Sequence, residues 1–138
     1  MSASLAVQQA LRAALVAAPG LAGLTGVFDG VPVNAQPPYL TLGPDVVTDW
    51  SHKSGIGHEH RIQLGLWDDA TGSARVKTLC GAAEDAVRAL TGTLPEAGAG
   101  TGAGHRIASV QFLRGFVLKD PDGWTQGIVE FRIRTEQL

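Results

Sequence analysis

At 138 residues, with 44% hydrophobic and 17% charged residues, the chain has the length of one domain able to bury about two thirds of its unfolded surface, and is too apolar to be disordered. A net charge of −2, a pI of about 6.0 and the lack of any lysine or arginine cluster exclude nucleic-acid binding by bulk charge. The single cysteine, Cys80, excludes an internal disulfide and fits a cytosolic origin. Residues 2–18 have no basic leader and Arg12 interrupts their apolar run, so they do not read as a signal peptide. No apolar run reaches the ~20 residues that cross a bilayer, and a soluble protein is expected.

In chain order, Leu5, Val7, Leu11, Ala14, Leu15 and Ala18 form a helical stripe that Pro19 and Gly20 end. Val27 and Phe28 suffice for a short edge strand before Asp29-Gly30. The prolines between Val31 and Pro38 then predict an ordered connection outside any ladder. Tyr39 to Leu42 and Val46 to Trp50 read as one strand broken at Gly43-Pro44 by a bulge or an edge position. The polar segment 49–57 is longer than a tight hairpin turn and is expected to project, with Trp50 at its root either packed back on the domain or anchoring a partner.

The best-defined stretch runs from His58 to Leu90. Ile62, Leu64 and Leu66 alternate with Arg61, Gln63, Gly65 and Trp67 as in a half-buried strand. Val76, Leu79, Cys80, Ala83, Val87 and Leu90 then recur at helical spacing, with Lys77, Glu84, Asp85 and Arg88 off the stripe and Gly92 at the expected C-cap. Residues 95–104, with alternating glycines, read as a low-complexity linker. Arg106 to Leu118 predicts a long strand carrying Val110, Phe112, Phe116 and Leu118 on one parity, with Arg114 intruding. Asp120-Pro121-Asp122-Gly123 is a turn signal, and Trp124 to Thr135 returns antiparallel. The predicted fold class is α+β: a mainly antiparallel sheet with helices packed on one face, in the order α-β-β-β-α-β-β.

Chemical signatures are sparse. His58 and His60 share a strand face, and His52 precedes them, which is the basis for a metal-dependent enzyme reading; the pair lacks a third ligand at characteristic spacing. The glycines at 98–102 match a dinucleotide fingerprint by letter but follow a helix and precede a strand, the reverse of the required order. Cys80 lies on an apolar helix stripe, Ser51-His52 has no third member, and Asp68-Asp69 is placed to complement the start of the second helix. No catalytic residue, cofactor site or metal site is assigned. The three tryptophans, Trp50, Trp67 and Trp124, are candidates for contact with other chains.

Taken together, the N-terminal alanine and leucine helix, Val27-Phe28-Asp29-Gly30-Val31-Pro32, Pro37 to Gly43, Asp49-Trp50-Ser51 with Lys53, and Asp120-Pro121-Asp122-Gly123 before a final strand resemble the tail completion or tail terminator proteins of long-tailed phages and bacterial gene transfer agents. The resemblance covers nearly all of residues 1–138, as a single tail-terminator-like domain, and is closest to the gene transfer agent branch. It implies a non-enzymatic virion assembly protein: a homohexameric ring on the head-proximal end of the tail tube that stops tube polymerisation and offers a docking surface to the head–tail connector. DNA would pass through the lumen without specific binding, and no membrane is involved. By the same analogy, subunit and tube contacts fall on Trp50, Ser51, His52 and Lys53, and on Asp120, Asp122, Gly123 and Trp124. The alternatives are another head–tail joining or neck ring component, or the small metal-dependent enzyme built on His52, His58 and His60.

Overall fold

The computed structural model describes residues 2–95 and 103–138. Helix α1 (Ala3–Ala17) opens with the Ser2 hydroxyl accepting the Leu5 amide at 3.2 Å, and gives way at Pro19 to a single 3-10 turn, Pro19–Leu21. Six strands follow around a second helix: β1 (Val27–Asp29), β2 (Tyr39–Asp49), β3 (Gly57–Asp68), α2 (Ala74–Arg88), β4 (Thr93–Pro95), β5 (Ala103–Lys119) and β6 (Thr125–Gln137). They form one sheet in the order β1-β2-β3-β6-β5-β4, antiparallel at every pairing except β1 with β2. Both helices lie on one face, as the α+β reading anticipates.

The core follows from strand parity. Leu40, Leu42, Ile62, Leu64, Leu66, Val129, Phe131 and Ile133 point to the helices, and Val7, Leu11, Leu15, Val76, Leu79, Ala83 and Val87 meet them. Fully burying side chains such as Leu64, Leu66 and Phe131 contributes about 1.5–3 kcal/mol each. Helix α2 sits so close to β6 that a Cβ at Gly127 would run into Cys80 Sγ and crowd Val76 Cγ2, so any side chain there would force Cys80 to move. Desolvation in this seam pushes the Cys80 thiol up to about 11, which keeps it protonated and unreactive at neutral pH.

Several details differ from the sequence expectation. Leu5 is 40% exposed; the buried stripe of α1 is Ala3, Ala6, Val7, Leu11 and Leu15, one step around the helix. Asp68 does not begin α2. It ends β3, fully buried, and its carboxylate accepts the Asp69 amide at 2.9 Å and Arg75 Nε at 3.0 Å. The Arg75 hydrogen bonds hold its carboxyl below the ordinary range, so it is a buried brace between β3 and α2 rather than a cap. Strand β4 is an addition. Gly92 has the left-handed φ of 89° but stands in the turn into β4, where its carbonyl accepts the Ile107 amide. Most of the glycine-rich 95–104 segment lies outside the described residues.

The parity of β5 is also corrected. Register shifts between Ile107 and Ser109 and between Phe112 and Arg114 each insert an extra residue. Val110 and Phe112 face the core, but past Leu113 the alternation flips, so Arg114, Phe116 and Leu118 share the helix-free face, and Gly115 and Val117 turn inward. Arg114 is therefore no intruder. A third register shift, between Leu42 and Asp45, stands where Gly43-Pro44 predicted it. Among the described residues no helix is long and apolar enough to cross a membrane.

Candidate assembly surfaces

The four long strands carry the two candidate segments to opposite ends of the sheet. The β2–β3 connection, with Trp50, Ser51, His52 and Lys53, leaves one end. The β5–β6 connection, with Asp120, Asp122, Gly123 and Trp124, leaves the other, about 40 Å away for strands of 11–17 residues.

The Trp50 end is more compact than its length predicts. Trp50 donates its amide to the Gly57 carbonyl at 2.9 Å, and His52 and Gly55 exchange amide bonds at 3.0 and 3.1 Å. Ser51 Oγ donates to Asp49 at 2.7 Å and accepts the Gly57 amide at 3.1 Å. The Ser51 hydroxyl and, at 3.4 Å, the Ser51 amide both donate to Asp49 and lower its carboxyl below the usual range. Trp50 itself is half-buried, with the Arg134 guanidinium 5.2 Å above its ring, and its carbonyl and ring edge leave no room for a Cβ at Gly57. It thus packs back on its own sheet. Ser51, His52 and Lys53 remain exposed at the tip.

At the far end, Asp120 Oδ1 accepts the Asp122 amide at 2.9 Å, the Gly123 amide closes the turn on the Asp120 carbonyl, and Gly123 takes the φ of 94° that the turn demands. Behind this tip, Trp124 joins an aromatic cluster on the helix-free face. Its ring lies 6.2 Å from Tyr39 and 6.4 Å from Trp67, Tyr39 stacks on Trp67, and Phe28 closes on Tyr39 at 5.9 Å. Trp67 Nε1 donates to Thr41 Oγ1 at 3.0 Å, so its polar edge is satisfied within the domain. Trp67, Leu118, Pro121 and Trp124 line an open groove of about 350 Å³ beside the tip.

Between the two ends the helix-free face is a lattice of cross-strand ion pairs. Arg114 binds Glu130 through two bonds of 3.0 Å, Arg106 binds Glu136, Arg134 reaches Glu59 at 3.0 Å, and Gln63 donates to Glu130 at 2.7 Å. Such partly exposed pairs contribute little stability, on the order of 0–1 kcal/mol each, and these glutamates offset only part of the charge of Arg61, Arg106, Arg114, Arg132 and Arg134 on this face.

The histidines divide differently from the sequence grouping. His52 turns its ring to Ser54 Oγ, at 3.1 Å, inside its own loop. His58 and His60 are joined instead by His105 of β5, with ring centroids 6.2 and 6.4 Å from His58. His60 is 1% exposed and hydrogen-bonds Thr135 Oγ1 at 2.9 Å. Burial, with the neighbouring His58, pushes its imidazole down to about 4, so it is neutral at pH 7. Among the described residues no group of three or more histidine, cysteine, aspartate or glutamate side chains could hold a metal ion. His105 carried no sequence signal, because it follows the glycine run and only the β5–β6 pairing brings it to His58.

Comparisons with a family model and with solved structures agree in kind. The family model described as Tail completion protein gp17 matches residues 9–136. A solved chain from the virion of a native gene transfer agent particle is 30% identical, with 98% of each chain covered and a TM-score of 0.83. No curated protein matches.

Proposed function

The chain belongs to the tail completion protein gp17 family, and from that membership we propose that it is a tail terminator: a homohexameric ring on the head-proximal end of the tail tube. The ring stops tube polymerisation and presents its other side to the head–tail connector, and the protein is not an enzyme. The observation that carries this reading is the end-to-end likeness to a chain that is part of a gene transfer agent virion. The same likeness supports a place in the tail or neck of such a particle, assembled in the host cytoplasm.

The geometry supports the reading in two ways. A terminator must have two unlike sides, and the two candidate segments stand at opposite ends of the long strands with different chemistry: a polar, histidine- and lysine-bearing loop at one, an acidic turn backed by aromatic rings at the other. A ring whose lower side resembles a tube subunit and whose upper side does not repeat it binds the tube tip and blocks further addition. DNA must also slide through without being held. The net charge of −2 suits such a channel, and glutamates offset part of the arginine charge of the helix-free face.

Light scattering over a wide concentration range tests the reading. The expected result is a closed species of about 86 kDa for six 14.4 kDa chains, either free or on tube ends. A protein that stays monomeric and also fails to bind tube ends is not a terminator.

A further inference from the structure

The sheet leaves two edges incompletely covered, and they are complementary. Strand β1 pairs only with Leu40, Thr41 and Leu42 of β2, so the outer edge of residues 45–49 has no strand beside it among the described residues. Strand β4 pairs only with Ala103, His105 and Arg106 of β5, so the outer edge of residues 108–119 is likewise open. Long open edges are sites for pairing with another strand. Their charges decide which strand. On the helix-bearing face residues 45–49 carry Asp45 and Asp49 and no cation, and residues 108–119 carry Lys119 and no acid; Arg114 is on the other face, paired with Glu130. Like edges repel and unlike edges attract, which disfavours a two-fold contact and favours a head-to-tail one, the kind that closes into rings.

Strand direction agrees. The four long strands β2, β3, β6 and β5 alternate, so β5 runs opposite to β2. When a neighbouring copy keeps the same strand direction around a ring axis, its β2 meets β5 antiparallel, and the alternation continues unbroken across the seam. The covered segments set the offset. β1 lies level with residues 115–117 of β5, and β4 lies level with and beyond Asp49 of β2. A neighbour with no shift along the strands would drive its β1 into β5. Sliding it along the strands toward the β5–β6 turn by about five residues, ~15–20 Å, clears both short strands and brings Asp45 near Lys119 on the helix-bearing face, and the ring closes when the strands tilt to its axis, as in a barrel.

The geometry points to a second copy of this chain as the occupant: residues 45–49 of β2 in one subunit pair antiparallel with residues 113–119 of β5 in the next, making one sheet continuous around the ring. This rests on the ring proposed above. The test replaces Val47, an exposed edge residue, with photoreactive p-benzoylphenylalanine, irradiates the assembled ring or tube-bound protein, and maps the adducts by peptide mass spectrometry. A second variant carries the probe at Thr48, and circular dichroism verifies that each is folded. Intersubunit adducts on residues 113–119 are expected. A species of six chain masses whose adducts fall elsewhere overturns the edge contact and leaves the ring standing. Failure to assemble, alone and on tube ends, overturns both.

Discussion

The two side chains with the sharpest physical predictions are Trp50 and His60. Trp50 was open to two readings, packed on its own domain or anchoring a partner, and it lies half-buried with Arg134 over its ring. Its replacement by alanine removes a cation–π contact worth about 0.5–1 kcal/mol, together with the apolar area of a half-buried ring. The melting temperature should fall by roughly 5 °C in a thermal scan. An unchanged transition would return Trp50 to the anchor role. His60 makes folding pH-dependent. Its folded value of about 4 lies below the 6.5 of a free imidazole, because burial and His58 oppose its charge. The unfolded chain therefore takes up the proton first. The contribution is complete above about pH 7, is lost as pH falls from about 6.5 to about 4, and changes no further below that. The loss is on the order of 3 kcal/mol. His105 adds to this opposition, and Asp45 partly relieves it. Urea midpoints at pH 7.0 and 4.5 check the argument: the wild-type midpoint should drop further than that of His60→Leu, which has no proton to gain.

At the scale of elements, periodicity and turn chemistry were enough for the existence and approximate bounds of α1, α2, β3 and the β5–β6 hairpin, though not for the buried stripe of α1 or the faces of β5. What escaped was irregular or short. Strand β4 has three residues, one of them proline, and owes its existence to β5 lying beside it. The flip at Leu113 is invisible to a period-two reading because one inserted residue exchanges the faces of everything after it. That reading makes Arg114 look misplaced, whereas Glu130 awaits it on the helix-free face. A deletion tests the bulge directly. Removing Leu113 should restore plain alternation while residues 114–119 keep their present partners on β6. The shortened protein should fold, with near-native circular dichroism and a melting temperature lowered by only a few degrees. Gross unfolding would mean that the local bend itself, rather than the register, is needed for β5 to reach β6.

For the whole molecule, the candidate contact residues were legible only as two turn segments; nothing in the sequence said that they stand at opposite ends of one sheet, because that depends on which strands pair. The placement has a consequence for assembly. If each end meets a different partner, damage at one end should leave the other working. Lys53→Glu reverses a charge at the exposed tip of the β2–β3 loop, and Asp122→Lys does so in the β5–β6 turn, where the aspartate contributes its backbone amide, not its carboxylate, to the hydrogen bond with Asp120. Both side chains are exposed, so stability should change by no more than about 0.5 kcal/mol. Each variant should retain the mass of the wild-type assembly, and just one of the two should lose the ability to cap tube ends in a polymerisation assay. The other should still cap tubes yet fail to join them to heads. Equal loss of both steps in both variants would argue that the two ends are not separate docking sides, and would favour the neck-ring alternative over a terminator seated directly on the tube.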